Sequence, residues 1–202
     1  TVDDLGPFAV KGGTPGNPVL LATDEEGGDV QRFRALGTLP SQQEVAESMS
    51  PAEARAMIAD HGGLLAAAGI DLVLGPVADV APKGATSALG DRVFSDRPAQ
   101  VRRYARAYVE GWSDAGLLAT LKHFPGLGSA TANTDEAEAT TPPLGELERR
   151  DLVPYRGLAD TGTAVMIGHQ VVPGWTDGPA SLSPVVIGYL RDTLGYRDNL
   201  VT

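Results

Sequence analysis

Four glycines, Gly69, Gly116, Gly162 and Gly195, each close a helical stretch, and a short apolar run follows each of them. A glycine stop followed at once by a strand is the αβ half of a βα unit. A chain that repeats it regains every strand through a helix, which favours a parallel sheet. The stops are 47, 46 and 33 residues apart, so the units are successive crossovers and not a solenoid of fixed period.

The local signals agree. Ser50, Pro51 and Glu53 open a helix with a capping box that stops near Gly69, and Ile70–Leu74 is the next strand. A second helix begins after Ser95 or Asp96 and carries Val101, Tyr104, Tyr108 and Trp112 on one face. Gly116–Leu121 follows as a strand. A third helical stretch is expected from about Gly145 to Asp160, kinked at Pro154, before the strand Thr163–Gly168. A fourth runs from Ser183 and Pro184 to Gly195. With Pro18–Thr23 in front and Asn199–Thr202 behind, five strands are expected. The fold class is α/β. A closed (β/α)8 barrel needs about 250 residues, so these 202 read as one domain, residues 1–202, comprising part of such a barrel. Its uncovered sheet edges would be prone to pairing.

Composition narrows the partners. A net charge of −10 argues against nucleic acid or an anionic membrane surface, both of which need a concentrated basic face. No run approaches the roughly 20 apolar residues of a membrane span, and the N-terminus lacks a basic-then-apolar leader. A soluble chain is expected, its compartment open. Without cysteine there is no thiol chemistry and no thiolate metal site. His61, His123 and His169 are the three histidines, and no metal site or cofactor motif is evident.

Chemistry concentrates at strand ends. Lys122-His123-Phe124-Pro125-Gly126-Leu127-Gly128 places a cation and an imidazole where a buried strand opens into a glycine-rich loop, which suits ligand contact. The alternative is a lysine paired to a carboxylate and a hydrogen-bonded core histidine. Asp24, after Val19–Thr23, precedes Gly27-Gly28 and can accept two sugar hydroxyls, with Arg32 donating to a ligand or orienting that carboxylate; an acidic turn with a surface arginine is equally open. Arg92 faces the same rim if the sheet is parallel, and by itself reads as solvated. His169 ends its strand and reads as support from behind the site, His61 as structural. Asn133-Thr134-Asp135 lies in a long loop, either functional or a solvated acidic lid. A phosphate-binding barrel using Gly126 and Gly128 fits less well, because no second glycine-rich loop opens a helix.

Assembled, these residues resemble the N-terminal catalytic domain of glycoside hydrolase family 3, in particular its β-N-acetylglucosaminidase branch. The pattern D-x-E-G-G-x-V-Q-R matches Asp24, Glu26, Gly27, Gly28, Val30, Gln31 and Arg32, and K-H-F-P-G matches Lys122–Gly126 without a gap. The resemblance implies a TIM-like barrel in which Asp24, Arg32, Arg92, Lys122 and His123 bind the terminal sugar. It implies a carbohydrate partner and retaining hydrolysis of terminal β-linked N-acetylglucosamine or a related sugar. In that branch the loop continues K-H-F-P-G-H-G and reaches D-S-H, whose His is the acid/base. Here Leu127 replaces the first histidine and Asp135 the last. Asp135 is the candidate replacement, since a buried carboxylic acid can protonate a leaving oxygen. The family nucleophile is an Asp one residue past Thr202, so the 202 residues alone are expected to be inactive. Asp3-Asp4 resembles its signature but precedes the first strand and is not matched to it. The competing reading is a sugar-binding or scaffold protein that has lost catalysis.

Overall fold

A computed structural model describes residues 13–14, 17–81 and 89–202. Asp3 and Asp4 lie outside them. Five strands, β1 (Ala22–Thr23), β2 (Leu72–Val73), β3 (Leu118–Phe124), β4 (Ala164–Ile167) and β5 (Leu200–Val201), form one sheet in sequence order, every neighbouring pair parallel. The register runs Ala22 to Leu72 to Leu118, then Thr120 to Ala164 and Val165 to Leu200. The expected first strand is shorter than Pro18–Thr23. Pro18 pairs instead with Gly13 in a small antiparallel ribbon, and Val19 and Leu20 are exposed.

All four stop glycines carry positive φ, between 69° and 85°, as the helix-to-strand reversal demands. Among the described residues five α-helices accompany the sheet: α1 (Gln42–Ser48), α2 (Pro51–Ala67), α3 (Pro98–Asp114), α4 (Leu144–Leu147) and α5 (Pro184–Gly188). The Ser50–Glu53 capping box forms as expected, and Ser41–Glu44 makes a second one that opens α1. Helices α2 and α3 pack tightly because Gly111 lies against Ile58 and the Arg55 carbonyl, where a Cβ would approach to 2.7 Å. The apolar face of α3, with Val101, Tyr108 and Trp112 each at most 1% exposed, rests on β3 residues Ala119 and Leu121. Burial of that face is the main stabilising force on this layer.

The third helical stretch departs from expectation. Only Leu144–Leu147 is α-helical; bonds such as Arg150 N–H to Leu147 O and Arg156 N–H to Val153 O make turns, and Ala159–Thr161 is 3₁₀. Pro154 has no N–H to continue an i→i−4 ladder. Leu147, Leu152, Tyr155 and Leu158 are fully buried, so packing holds the segment without regular helix. The fourth stretch passes from α5 into a π-helical turn, Tyr189–Thr193, before Gly195. Among the described residues no helix is long and apolar enough to cross a membrane.

Candidate functional site

Asp24, just past β1, and Thr202, just past β5, line the same cavity of about 420 Å³. The sheet therefore curls around it at the C-terminal ends of its strands, where barrel enzymes place their sites. Asp24, Arg32, Arg92, Lys122, His123, Asp135 and His169, every residue singled out by sequence, reach its lining.

The charged wall is built from the hairpin after β1, whose strands Glu25–Gly27 and Val30–Gln31 pair antiparallel. Lys122 is 2% exposed, and its Nζ lies 2.8 Å from Asp24 Oδ1 and 2.5 Å from Glu26 Oε1. Arg92 meets Glu26 with both Nε (2.8 Å) and Nη2 (3.0 Å) in a bidentate pair. Burial lowers the Arg92 pKa, but the Glu26 hydrogen bonds and charge outweigh it and the net shift is upward, so the guanidinium stays charged. Lys122 is thus both a cavity residue and a paired lysine. Arg92 is not the solvated arginine its loop suggested, and Lys122, not Arg32, holds the Asp24 carboxylate. Arg32 keeps an exposed side chain on the lining. A carboxylate beside one buried and one half-buried cation is a dense array of hydroxyl-sized donors and acceptors.

Glu25 anchors this hairpin from below. Its carboxylate, 1% exposed, accepts from Gln31 Nε2 (3.0 Å) and the Arg32 and Phe33 amides (3.0 and 3.1 Å), and stands 2.9 Å from His61 Nε2. Burial pushes its pKa up, but the bonds from His61, Phe33, Gln31 and Arg32 outweigh it and hold the carboxyl below its usual range. His61 is structural, as its mid-helix position suggested, and Glu25 is what it supports.

Adjacent strand residues point to opposite faces, yet Lys122 and His123 both reach the cavity. The β3–β4 ladder shifts register between Leu121 and Phe124, so regular alternation is interrupted where the two residues lie. The Lys122–His123 and Phe124–Pro125 peptides are cis. Asp79, fully buried, fixes the loop: it accepts from His123 N–H (3.1 Å) and Leu127 N–H (2.6 Å), and lies 2.7 Å from His123 Nδ1. A carboxylate ringed by donors places the imidazole proton on Nδ1 and leaves Nε2 for a ligand. Gly126, at φ 126°, sits over Asp151, where a Cβ would approach to 2.6 Å. Burial raises the Asp151 carboxyl to about 6 against the opposing bond from Ser129.

Glu26, Asp79, Glu25 and Gln42 were missed by sequence reasoning. Glu26 was visible inside the matched hairpin motif. Gln42 ties the Val77 peptide, through its N–H and C=O, to the Arg92 carbonyl, and nothing local in the sequence announces that.

The opposite wall is less secured. Asp135 is exposed, its amide donating to Asn133 Oδ1 at 3.1 Å, so the chain does not supply the burial an acid/base carboxyl would use. His169 is also exposed on the lining, with Nδ1 2.8 Å from Ser181 Oγ. It stands on the cavity wall, not behind it. Among the described residues no group of three or more His, Asp or Glu side chains could hold a metal ion.

A parallel sheet curled around a polar cavity at its C-terminal edge defines a TIM-like barrel protein with a site suited to a hydroxyl-rich ligand. Residues 7–202 match the glycosyl hydrolase family 3 N-terminal domain, and the chain belongs to that family. It is 43% identical over 191 residues to the beta-hexosaminidase LpqI of Mycobacterium tuberculosis, covering 93% of this chain and 49% of that protein. A beta-hexosaminidase of Stenotrophomonas maltophilia is 40% identical over 206 residues, covering 97% and 60%. Among solved structures, M. tuberculosis LpqI superposes with a TM-score of 0.89 at 40% identity, covering 99% of this chain and 59% of that one. Native NagZ from Neisseria gonorrhoeae gives 0.89 at 29% identity, covering 99% and 61%. The chain thus spans between about half and three-fifths of the length of these relatives.

Proposed function

We propose that the protein is a retaining glycoside hydrolase that releases terminal β-linked N-acetylglucosamine or a closely related sugar. The observation that carries this reading is the single cavity in which the Asp24–Lys122 and Arg92–Glu26 pairs face the Asn133–Asp135 loop. Asp24, Arg32, Arg92, Lys122 and His123 grip the sugar. Asp24 accepts hydrogen bonds from sugar hydroxyls, Lys122 and the arginines donate, and His123 Nε2 takes a further hydroxyl hydrogen bond. Asp135 is the acid/base: it protonates the leaving oxygen, then activates water to release the sugar. Retention needs a second carboxylate, which attacks the anomeric carbon as the leaving oxygen departs and is displaced by the activated water; the family resemblance puts it at the tip of β5, whose Thr202 borders the cavity. Beta-hexosaminidase relatives support the reaction class.

The test is hydrolysis of 4-nitrophenyl β-N-acetylglucosaminide by the intact protein, with the anomer of the first product read by NMR. Release of the β-anomer is expected, and the α-anomer would refute retention. Tight sugar binding without turnover would establish instead a binding protein on this fold.

A further inference from the structure

The two walls of the cavity differ in chemistry. Asp24, Arg92 and Lys122 supply ionised groups on one side. On the neighbouring strand the end of β4 contributes Met166, Gly168 and His169, with no carboxylate, lysine or arginine among them. Hydroxyls gain most from the ionised side. An acetamido group, with its methyl and neutral amide, gains from apolar surface beside one neutral hydrogen-bonding group.

His169 is held in place as a hydrogen-bonding group. Its Nδ1 lies 2.8 Å from Ser181 Oγ. Ser181 is 6% exposed, its N–H donates to the Gly168 carbonyl at 3.0 Å, and the neighbouring Ala180 N–H donates to the Gln170 carbonyl at 3.0 Å. The hydroxyl therefore rides on a turn stitched back to the strand that carries the histidine. The ring is oriented at one nitrogen while the other, Nε2, has no partner among the described residues. A hydroxyl can donate or accept, so Ser181 tolerates either tautomer. Nε2 can then donate to an amide carbonyl or accept from an amide N–H. Half-buried Met166, on the same strand end and the same cavity, supplies a polarisable apolar surface for a methyl group.

We infer that His169, oriented by Ser181 and flanked by Met166, recognises the acetamido substituent and so selects N-acetylated sugars over plain hexoses. This rests on the cavity being the sugar site proposed above. The experiment compares 4-nitrophenyl β-N-acetylglucosaminide with 4-nitrophenyl β-glucoside on intact wild type, His169→Ala and His169→Gln. Loss of one hydrogen bond should cut the wild-type preference for the acetamido substrate, as a ratio of kcat/KM values, by about tenfold in the alanine variant. Glutamine should restore part of it, and Ser181→Ala should lose an intermediate share. An unchanged ratio, including an equal fall on both substrates, overturns the inference. Should wild type turn over neither substrate, the hydrolase reading fails separately, and the His169 ring resonances decide. They should shift on adding N-acetylglucosamine and stay put with glucose; a response to both or to neither overturns the assignment.

Discussion

The hairpin wall and the loop wall of one cavity are built to different standards. On the hairpin wall Glu26 is 1% exposed and accepts from both Arg92 and Lys122, and Glu25 beneath it is met by four donors. On the loop wall Asp135 and His169 are exposed, each carrying a single hydrogen bond to a neighbouring side chain. The contrast teaches that the proposed sugar grip is preorganised by largely buried ion pairs, whereas the groups proposed for proton transfer and substituent choice lack such support. Preorganisation on the gripping side reduces the ordering cost of binding.

The largest effect that probes the contrast is expected for Lys122→Met. It strips Asp24 of its cation and Glu26 of one of two, and removing one partner from a buried ion cluster costs about 3–5 kcal/mol. Urea denaturation measures this, and a loss under about 1 kcal/mol would show that the hairpin wall is no more rigid than the loop. Asp135→Asn should behave in the opposite manner. Turnover of an aryl N-acetylglucosaminide should fall by about 10²–10⁴-fold, while stability moves by less than about 0.5 kcal/mol because the side chain is exposed. A variant that melts earlier would break the comparison from the other side.

Asp151 gives a pH test within the support layer. Its carboxyl is raised from 3.8 to about 6 by burial, so the folded state holds its proton more tightly than the unfolded chain. The stabilisation is complete below about pH 4 and is lost as pH rises through 6, amounting to about 3 kcal/mol from a two-unit shift. Asp151→Asn should abolish that decline in a pH series of denaturation midpoints. Glu25, held low by its donors, contributes the reverse dependence and loses its stabilisation as pH falls. The smallest expected effect belongs to Asp79→Asn. Its amide group would face the donors of His123 and Leu127, and misplacement of the imidazole should lower kcat/KM by about tenfold to a hundredfold. Unchanged kinetics would mean that His123 is positioned by packing alone.

Much of this was legible in the chain. The glycine stops and capping signals located α2, α3, the start of α5 and four of the strands because those features act through local backbone geometry. The site residues were legible because strand ends in a parallel sheet share one rim. The failures have physical causes. A helix from Gly145 to Asp160, kinked at Pro154, was expected, but beyond Leu147 the segment is held by the burial of Leu152, Tyr155 and Leu158, and Pro154 supplies no N–H to continue the ladder. The Ser41–Glu44 box has the same form as the Ser50–Glu53 one, but it caps only seven residues, too short a run for helical periodicity to mark it.

By itself, then, the sequence determined the order of strands, the αβ rhythm and which residues arrive at the rim, since these depend on neighbours along the chain. Only the tertiary structure decided their pairings. Lys122 finds Asp24 across 98 positions, Arg92 finds Glu26 across 66, and His123 finds Asp79 across 44. Such contacts join different strand ends, so they exist only once the sheet has curled and brought those ends to one cavity.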